Sequence, residues 1–220
     1  MKNLRLSVLL SLALAASAQL SAATINISAT DDRTGQMTGG VATSMHAQND
    51  VFLRTFGIAD YWRSALEFSL SSLGGPVTIN SAILRLVDAG TQVDGTILIH
   101  GYTGDGVITL GDFDYSNLVA SYGTTSAGGI NAHYLDVTSF IQAQVSGSSA
   151  YAGFMLQSLV EGPFQGSDVA SSEYGVAEYV PLLTIDYTVG AAATPDSGTT
   201  AALIGSALVV LGLARRRFVA

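Results

Sequence analysis

The sequence predicts an all-β protein: an antiparallel, jelly-roll-like β-sandwich with one short helix, plus a C-terminal helix of the transmembrane type. Three observations predict this fold. Apolar and polar residues alternate in short runs, Gly, Ser, Asn and Asp separate those runs, and one uninterrupted apolar segment lies near the end of the chain. Alternation with a period of two is typical of half-buried strands, and the intervening residues favour turns. The part between the two ends is long enough for one domain with its own core.

Residues 1–23 are predicted to form a secretory signal peptide. Lys2 and Arg5 give a positive start, residues 6–16 are apolar, and small residues follow at 16–18 and again at 21–23. Signal peptides share this order, and either small-residue site fits cleavage. Cleavage after Ala23 is favoured because a strand-like run, 24–28, begins there. A retained N-terminal helix is the alternative, although its apolar part is too short to span a bilayer.

Seven further runs predict strands of the sandwich, residues 24–190. In the run 62–70, Leu66 and Phe68 alternate with Arg63 and Glu67, which is the period of a half-buried strand. The run 79–87 is largely apolar on both faces, which predicts a strand inside the sandwich. The predicted strands are 51–56, 62–70, 79–87, 96–102, 133–137, 151–157 and 182–187.

One short helix is predicted after residue 137. Thr138 or Ser139 can cap its start, and Gly147 ends it. Its apolar stripe consists of Phe140, Ile141 and Val145. Seven or more strands with a single helical connection favour two packed antiparallel sheets.

The charge of residues 24–190 is strongly negative. Four arginines face sixteen acidic residues, a formal charge near −12, whereas the whole chain has a charge of −8. Such a surface repels nucleic acid and anionic membranes, so no nucleic-acid partner is predicted. It suits either simple solubility or the binding of divalent cations. The chain contains no cysteine, which excludes disulfides, thiol catalysis and cysteine-ligated metals.

No cofactor is predicted, and calcium is the only metal for which the sequence offers candidates. Asp31 and Asp32 are adjacent acids that would either help to bind calcium or form a solvated turn. The segment 101–112 invites comparison with a calcium-binding loop. With Gly106 at the sixth position, however, only Asp105 and Asp112 supply carboxylates. A turn followed by a short helical segment, 112–117, is therefore predicted instead.

No catalytic residue is predicted. His46, His100 and His133 show no paired spacing, and neither a nucleophile elbow nor a phosphate-binding glycine loop occurs. Two carboxylates brought together by folding would still allow a secreted polysaccharide-active enzyme, a glycosidase or lyase on a jelly-roll scaffold. Aromatic rings can stack on sugars, and Trp62 is assigned to core packing. The predicted sugar-stacking residues are Tyr115, Tyr122 and Tyr174.

Residues 191–194 are predicted to be a linker, and residues 195–220 are predicted to be a sorting signal in three parts. Pro195-Asp196-Ser197-Gly198 is a polar motif, residues 199–214 form an apolar helix, and Arg215, Arg216 and Arg217 follow. The helix would span about 25 Å, slightly less than the hydrocarbon core of a bilayer. The arginines place the end of the chain in the cytoplasm and the sandwich outside. A plain C-terminal anchor is the alternative.

This tail resembles the PEP-CTERM sorting signals of Gram-negative bacteria, most closely the variant with a Val-Pro-Asp-Ser-Gly motif. Thr194 replaces the usual valine, and the Pro-Asp-Ser-Gly part is intact. The resemblance implies an exosortase-like processing enzyme as partner and cleavage near the motif. It also implies export across the inner membrane, transient anchoring there, and delivery to the cell surface or extracellular matrix.

A second resemblance covers the sandwich. Residues 63–73, RSALEFSLSSL, and 77–86, VTINSAILRL, are similar to the pattern of DNRLRE-type extracellular modules. Ser69 stands where Asp is usual, and Gly74-Gly75-Pro76 lengthens the turn. The resemblance implies a β-sandwich, and related modules bind polysaccharide. Together these observations predict a noncatalytic secreted surface or matrix protein whose sandwich serves adhesion, structure or polysaccharide association.

Overall fold

The computed structural model describes residues 21–46, 52–55, 61–126, 129–161 and 166–190. Residues 21–190 form one compact unit. The predicted signal peptide before residue 21, the linker, the C-terminal helix and the sorting signal lie outside the described residues. Among the described residues, no helix has the length and apolar character needed to cross a membrane.

Within these residues the fold is built from antiparallel strands. The strands are β1 (Ser21–Ser28), β2 (Asp31–Thr38), β3 (Val41–Met45), β4 (Phe52–Arg54), β5 (Tyr61–Ser69), β6 (Val77–Gln92), β7 (Gly95–Gly104), β8 (Leu118–Thr124), β9 (Asn131–Asp136), β10 (Tyr151–Ser158), β11 (Ser167–Ala170) and β12 (Leu182–Val189). The α-helix is α1 (Thr138–Ser146), and short 3₁₀ turns occur at Ser71–Leu73 and Leu110–Phe113.

The strands form two sheets, which confirms the prediction of a mainly β protein with two antiparallel sheets and one short α-helix. The first sheet has the order β1-β12-β6-β11-β4, and β9 pairs with β6. The second has the order β3-β2-β5-β10-β7-β8. The long strand β6 connects the first sheet because its two halves pair with different neighbours, β12 and β11.

The main core lies between the two sheets. Leu66 and Phe68 from the second sheet share it with Leu84 and Leu183 from the first. Phe154 joins the aromatic part of this core, where its ring meets that of Phe68 edge to face at 5.8 Å. Each fully buried side chain of this size stabilises the fold by about 1.5–3 kcal/mol.

Strand β6 differs from its predicted alternation. A bulge shifts its register against β12, so Ser81 pairs with Asp186 but Ile79 pairs with Tyr187. The extra residue reverses the phase, and Ile79 therefore points inward together with Ala82. On the face opposite Ala82, Ser81, Ile83 and Arg85 are only half-buried, not fully covered as the apolar pattern suggested.

Helix α1 covers part of an edge of β6. Gln142 Nε2 donates to the Ile79 carbonyl oxygen at 3.0 Å, and the Ala82 amide donates to Thr138 Oγ1 at 2.9 Å. Thr138 is therefore not the predicted side-chain cap. Instead, Asp136 Oδ1 accepts a hydrogen bond from the Thr138 amide. Gly147 ends the helix as predicted.

Candidate functional site

Four residues form one row across the outer face of the second sheet. In cross-strand register they are Asp31 in β2, Glu67 in β5, Gly153 in β10 and Tyr102 in β7. They face away from the main core because alternate residues of the same strands, such as Leu66 and Phe68, point into it. Glu67 is nevertheless 0% exposed and Tyr102 3% exposed, so another segment of the chain must cover this outer row.

Two glycines make room for the buried side chains of the outer row. A Cβ atom at Gly153 would lie 2.3 Å from the Tyr102 ring, and one at Gly104 would lie 2.6 Å from Glu67 Cδ. The Tyr102 ring therefore lies directly across β10 in the direction of Glu67. No larger residue fits at either glycine without displacing these groups.

The cover is the segment 105–117, which connects β7 to β8 and is called the strap below. Its amides donate to the outer row: the Gly106 amide to Glu67 Oε2 at 2.6 Å, and the Ile108 amide to Asp31 Oδ2 at 3.1 Å. Apolar contacts add to these bonds. Ile108 and Phe113 pack with residues of β2 and β5 in a second, smaller core on this face. The strap is thus part of the fold, not a loose loop.

Tyr115 in the strap presents an aromatic surface to solvent. Its ring is parallel to that of Tyr102, with the centroids 4.4 Å apart and an angle of 4° between the planes. Tyr115 is 37% exposed while Tyr102 is buried, so the ring face opposite the stack meets water. Burial and the nearby Asp112 carboxylate raise the pKa of Tyr115. Asp112 is itself held by the amide and hydroxyl of Thr109, at 2.7 and 2.9 Å.

The surroundings of Glu67 and Tyr102 favour their neutral forms. Burial raises the pKa of Glu67, the Gly106 amide opposes this, and the Asp112 charge adds to it. Burial and the neighbouring Glu67 charge also raise the pKa of Tyr102. The Glu67 carboxyl and the Tyr102 hydroxyl interact with one another, and Glu67 Oε1 and the Tyr102 hydroxyl oxygen are both buried, so an ionised group is costly there.

A charged group fixes the far end of the strap. The Arg63 guanidinium binds Glu161 through two hydrogen bonds, at 2.7 and 3.3 Å, and also donates to the Phe113 carbonyl oxygen at 2.6 Å. His100 is buried in the adjacent row. Burial lowers the pKa of His100, and the positive charge of Arg63 acts in the same direction. A neutral imidazole is therefore expected, and its surroundings are those of a packed residue.

The two calcium candidates do not share a site. Asp31 and Asp32 are adjacent in β2, so their side chains point to opposite faces. Asp31 binds the strap and Arg33, whereas Asp32 Oδ2 accepts a hydrogen bond from the Ser172 amide at 2.7 Å. Both are buried, so they do not form a solvated turn either. Within the described ranges, no group of three or more acidic or histidine side chains is placed to hold a metal ion.

Tyr122 is not available for stacking. It is 8% exposed, its ring stacks on His133 at 3.9 Å, and its hydroxyl bonds to Asp88. Asp88 also accepts hydrogen bonds from Ser167 Oγ at 2.6 Å and from His133 Nε2 at 2.8 Å. Because Ser167 bonds to Asp88 and not to His133, this buried network lacks the contact between nucleophile and base that a catalytic triad needs. Its satisfied hydrogen bonds indicate a structural role.

Tyr174 and Trp62 are both half-buried. The Tyr174 ring contacts that of Phe52 at 5.4 Å. Trp62 contacts the His46 ring at 4.1 Å, and the Arg54 guanidinium lies 5.7 Å from its ring centroid. Trp62 therefore packs against its neighbours but belongs to neither of the two cores, so its assignment to core packing is not confirmed. Of the three tyrosines named from the sequence, Tyr115 is the one with an exposed, supported ring face.

Sequence reasoning missed Glu67 and Tyr102, which organise this face. Both lie in strands that were predicted, but a charged residue in an alternating strand is normally assigned to solvent. The glycines at 104, 106 and 153 were the available signal, since isolated glycines in or beside strands indicate a close approach of other groups. The cover itself follows from contacts distant in sequence.

Comparison with known families gives one match. Residues 195–218 match the family described as VPDSG-CTERM motif. This confirms the predicted PEP-CTERM-type sorting signal in the tail. Comparison with curated proteins gives no match to the chain. The resemblance of the sandwich to DNRLRE-type modules gains no support from a relative and stays a prediction.

Proposed function

We propose that the protein is a secreted surface or matrix protein of a Gram-negative bacterium, sorted by an exosortase-type enzyme, whose sandwich is a noncatalytic module for adhesion, structure or polysaccharide association. The match to the VPDSG-CTERM motif at residues 195–218 carries this proposal. In it, the enzyme recognises Pro195-Asp196-Ser197-Gly198 and cleaves nearby. Arg215, Arg216 and Arg217 keep the end of the tail on the cytoplasmic side until then.

The position of β12 supports attachment through the C-terminal side. β12 lies between β1 and β6 and is hydrogen-bonded to both along its length. Gly190, which follows it, donates a further hydrogen bond to the Pro76 carbonyl oxygen at 3.0 Å. A pulling force applied at Gly190 would therefore have to break two ladders together, which suits a protein held at a surface.

The placement of the acids supports a noncatalytic module. Glycoside hydrolysis uses two carboxyl groups about 5–9.5 Å apart that flank the substrate bond. Asp32 and Glu173 lie side by side, but Asp32 is 4% exposed and a sugar chain has no access to it. Glu67 is buried beneath the strap in the same way. These carboxyl groups hold segments of the fold together.

The sorting proposal is tested with the full chain in a host that has an exosortase-type enzyme and in one that lacks it. We expect a shorter, surface-delivered product in the first host and a longer, membrane-retained form in the second. Replacing Arg215, Arg216 and Arg217 with glutamine should reduce processing, while Thr194→Val, which restores the usual residue, should preserve it. Mass spectrometry and cell fractionation measure both. The same mass and delivery in every case would refute the proposal.

The noncatalytic assignment has its own test. The protein is incubated with neutral and uronate polysaccharides, with and without calcium, and reducing ends and unsaturated uronates are measured. We expect no product above that of a heat-unfolded sample. Release of either product would instead favour the polysaccharide-active enzyme.

A further inference from the structure

The exposed face of Tyr115 has the properties of a preformed binding surface. The stack with Tyr102 fixes the orientation of the ring, and the Tyr102 ring is itself confined over Gly153. The strap that carries Tyr115 is bonded to the buried outer row through Gly106 and Ile108. A ring held in this way loses little conformational freedom when a ligand stacks on it.

The groups around Tyr115 accept hydrogen bonds. Asp112 lies within hydrogen-bonding reach of the Tyr115 hydroxyl, and the charge of Asp105 also raises the pKa of that hydroxyl. Asp114, next to Tyr115 in sequence, has a side chain that is 83% exposed. Ionised carboxylates can only accept, so a ligand that bonds to this rim must supply several donors. Sugar hydroxyl groups supply them, and the C–H face of a sugar ring stacks on an aromatic ring.

We propose that the exposed face of Tyr115, with the carboxylate of Asp112 at its rim, binds a sugar ring of an uncharged polysaccharide. This inference rests on the proposed polysaccharide association and gives it a site and a ligand class. Polymers of uronic acids or sulfated sugars are disfavoured because the rim and the whole sandwich are negative. A quaternary ammonium ligand is usually enclosed by several aromatic rings, whereas Tyr115 offers a single exposed ring face, which suits the C–H face of a sugar ring.

The test measures retardation of the full-length protein, in a mild detergent, by gels that contain a soluble β-glucan, a chitosan or an alginate. We expect retardation by the neutral glucan and none by alginate. Tyr115→Ala should weaken glucan binding about tenfold or more, since the stacking surface is lost. Tyr115→Phe should change it no more than about threefold, because the stack on Tyr102 remains. Tyr134→Ala, at a tyrosine that is 68% exposed on β9 in the other sheet, is the matched control and should bind normally.

Each result has a distinct meaning. Equal glucan binding by the wild type and Tyr115→Ala would refute this site and leave polysaccharide association standing. No retardation of the wild type by any of the polymers would refute both the site and the association, while the sorting proposal would be unaffected. Retardation by chitosan alone, removed by added salt, would show attraction of a cation to the acids and would overturn the uncharged ligand class. Thermal unfolding of each variant verifies that it is folded.

Discussion

Replacing Asp32 with asparagine should make the sandwich more stable at alkaline pH and leave it nearly unchanged at acidic pH. Asp32 is buried in β2, accepts a hydrogen bond from the Ser172 amide, and lies beside the carboxylate of Glu173. Burial, with the Glu173 charge adding to it, raises the pKa of Asp32 to about 7. Asparagine keeps an oxygen for the Ser172 amide and offers a donor to Glu173, but it carries no charge at any pH.

The size of the effect follows from the pKa. The folded state holds the Asp32 proton more tightly than the unfolded chain does. Stability is therefore highest below the ordinary value of 3.8 and falls as the pH rises through about 7. This rise in the pKa, about three, corresponds to a difference in unfolding free energy of about 4 kcal/mol between acidic and alkaline pH, at about 1.4 kcal/mol for each pKa unit. Glu173 is exposed and can turn towards water, which lowers the cost of ionising Asp32. We therefore expect the unfolding free energy of the wild type to fall by about 2 kcal/mol or more from acidic to alkaline pH because of Asp32.

Urea unfolding of residues 21–190 at about pH 4 and about pH 8 measures this difference. The gain in unfolding free energy of Asp32→Asn over the wild type should be close to zero at the lower pH and about 2 kcal/mol or more at the higher one. Asp186→Asn is the control with the opposite sign. Hydrogen bonds from Thr24 and Ser81 lower the pKa of Asp186, so its loss should destabilise at the higher pH. A gain for Asp32→Asn that is equal at both pH values would refute the reasoning.

Three further predictions concern packing and processing. Gly153→Ala should cost about 1–3 kcal/mol of unfolding free energy, because its Cβ would meet the Tyr102 ring, whereas Gly75→Ala, with open space around it, should stay within about 0.5 kcal/mol. Urea titration compares the two, and equal costs would contradict the close packing. Folded 21–190 should resist trypsin, because its four arginines, the sites at which trypsin can cut, all lie in strands: Arg33, Arg54, Arg63 and Arg85. Rapid appearance of fragments on a gel at early times would contradict this. Cleavage after Ala23, which the sequence favours, would remove the first three residues of β1, and these already pair with β12. We therefore expect cleavage at the other small-residue site, after Ala18, and N-terminal sequencing that begins at residue 24 would contradict this.

The strands that the sequence predicts are those with clear apolar alternation, whereas β2, β3, β8 and β11 are missed. β5, β7, β10 and β12 bury one face in the main core, so their period of two is visible. β2 reads DDRTGQMT, which resembles a turn. It is a strand because the strap covers its outer face and satisfies Asp31 with a backbone amide. A cover whose amide bond to Asp31 comes from 77 positions away leaves no trace in the local pattern of β2.

The residues of the candidate site also divide into those that the local sequence predicts and those that depend on distant contacts. Tyr115 could be named from the sequence because it lies in a segment without a strand period, where exposure is the normal expectation. Tyr122 lies in a similar polar context, GTTSAGG following it, yet it is buried because Asp88 and His133 of the opposite sheet close over its ring. Exposure of a tyrosine thus depends on the partner strand, and no feature near Tyr122 in the sequence identifies that partner.

The arginines of the sandwich are engaged in contacts within the fold, which explains why an uncharged ligand suits this surface. Arg63 binds Glu161, Arg33 binds Asp31, and Arg54 lies 3.5 Å from Asp168, so three of the four arginines of residues 21–190 are in ion pairs. Arg85 donates to the Val180 carbonyl oxygen at 3.0 Å. An anionic polymer would have to break one of these pairs and would leave a partly buried carboxylate without its partner, which costs more than a surface contact returns. A neutral polysaccharide meets no such cost at Tyr115, where stacking and accepting carboxylates are the available interactions.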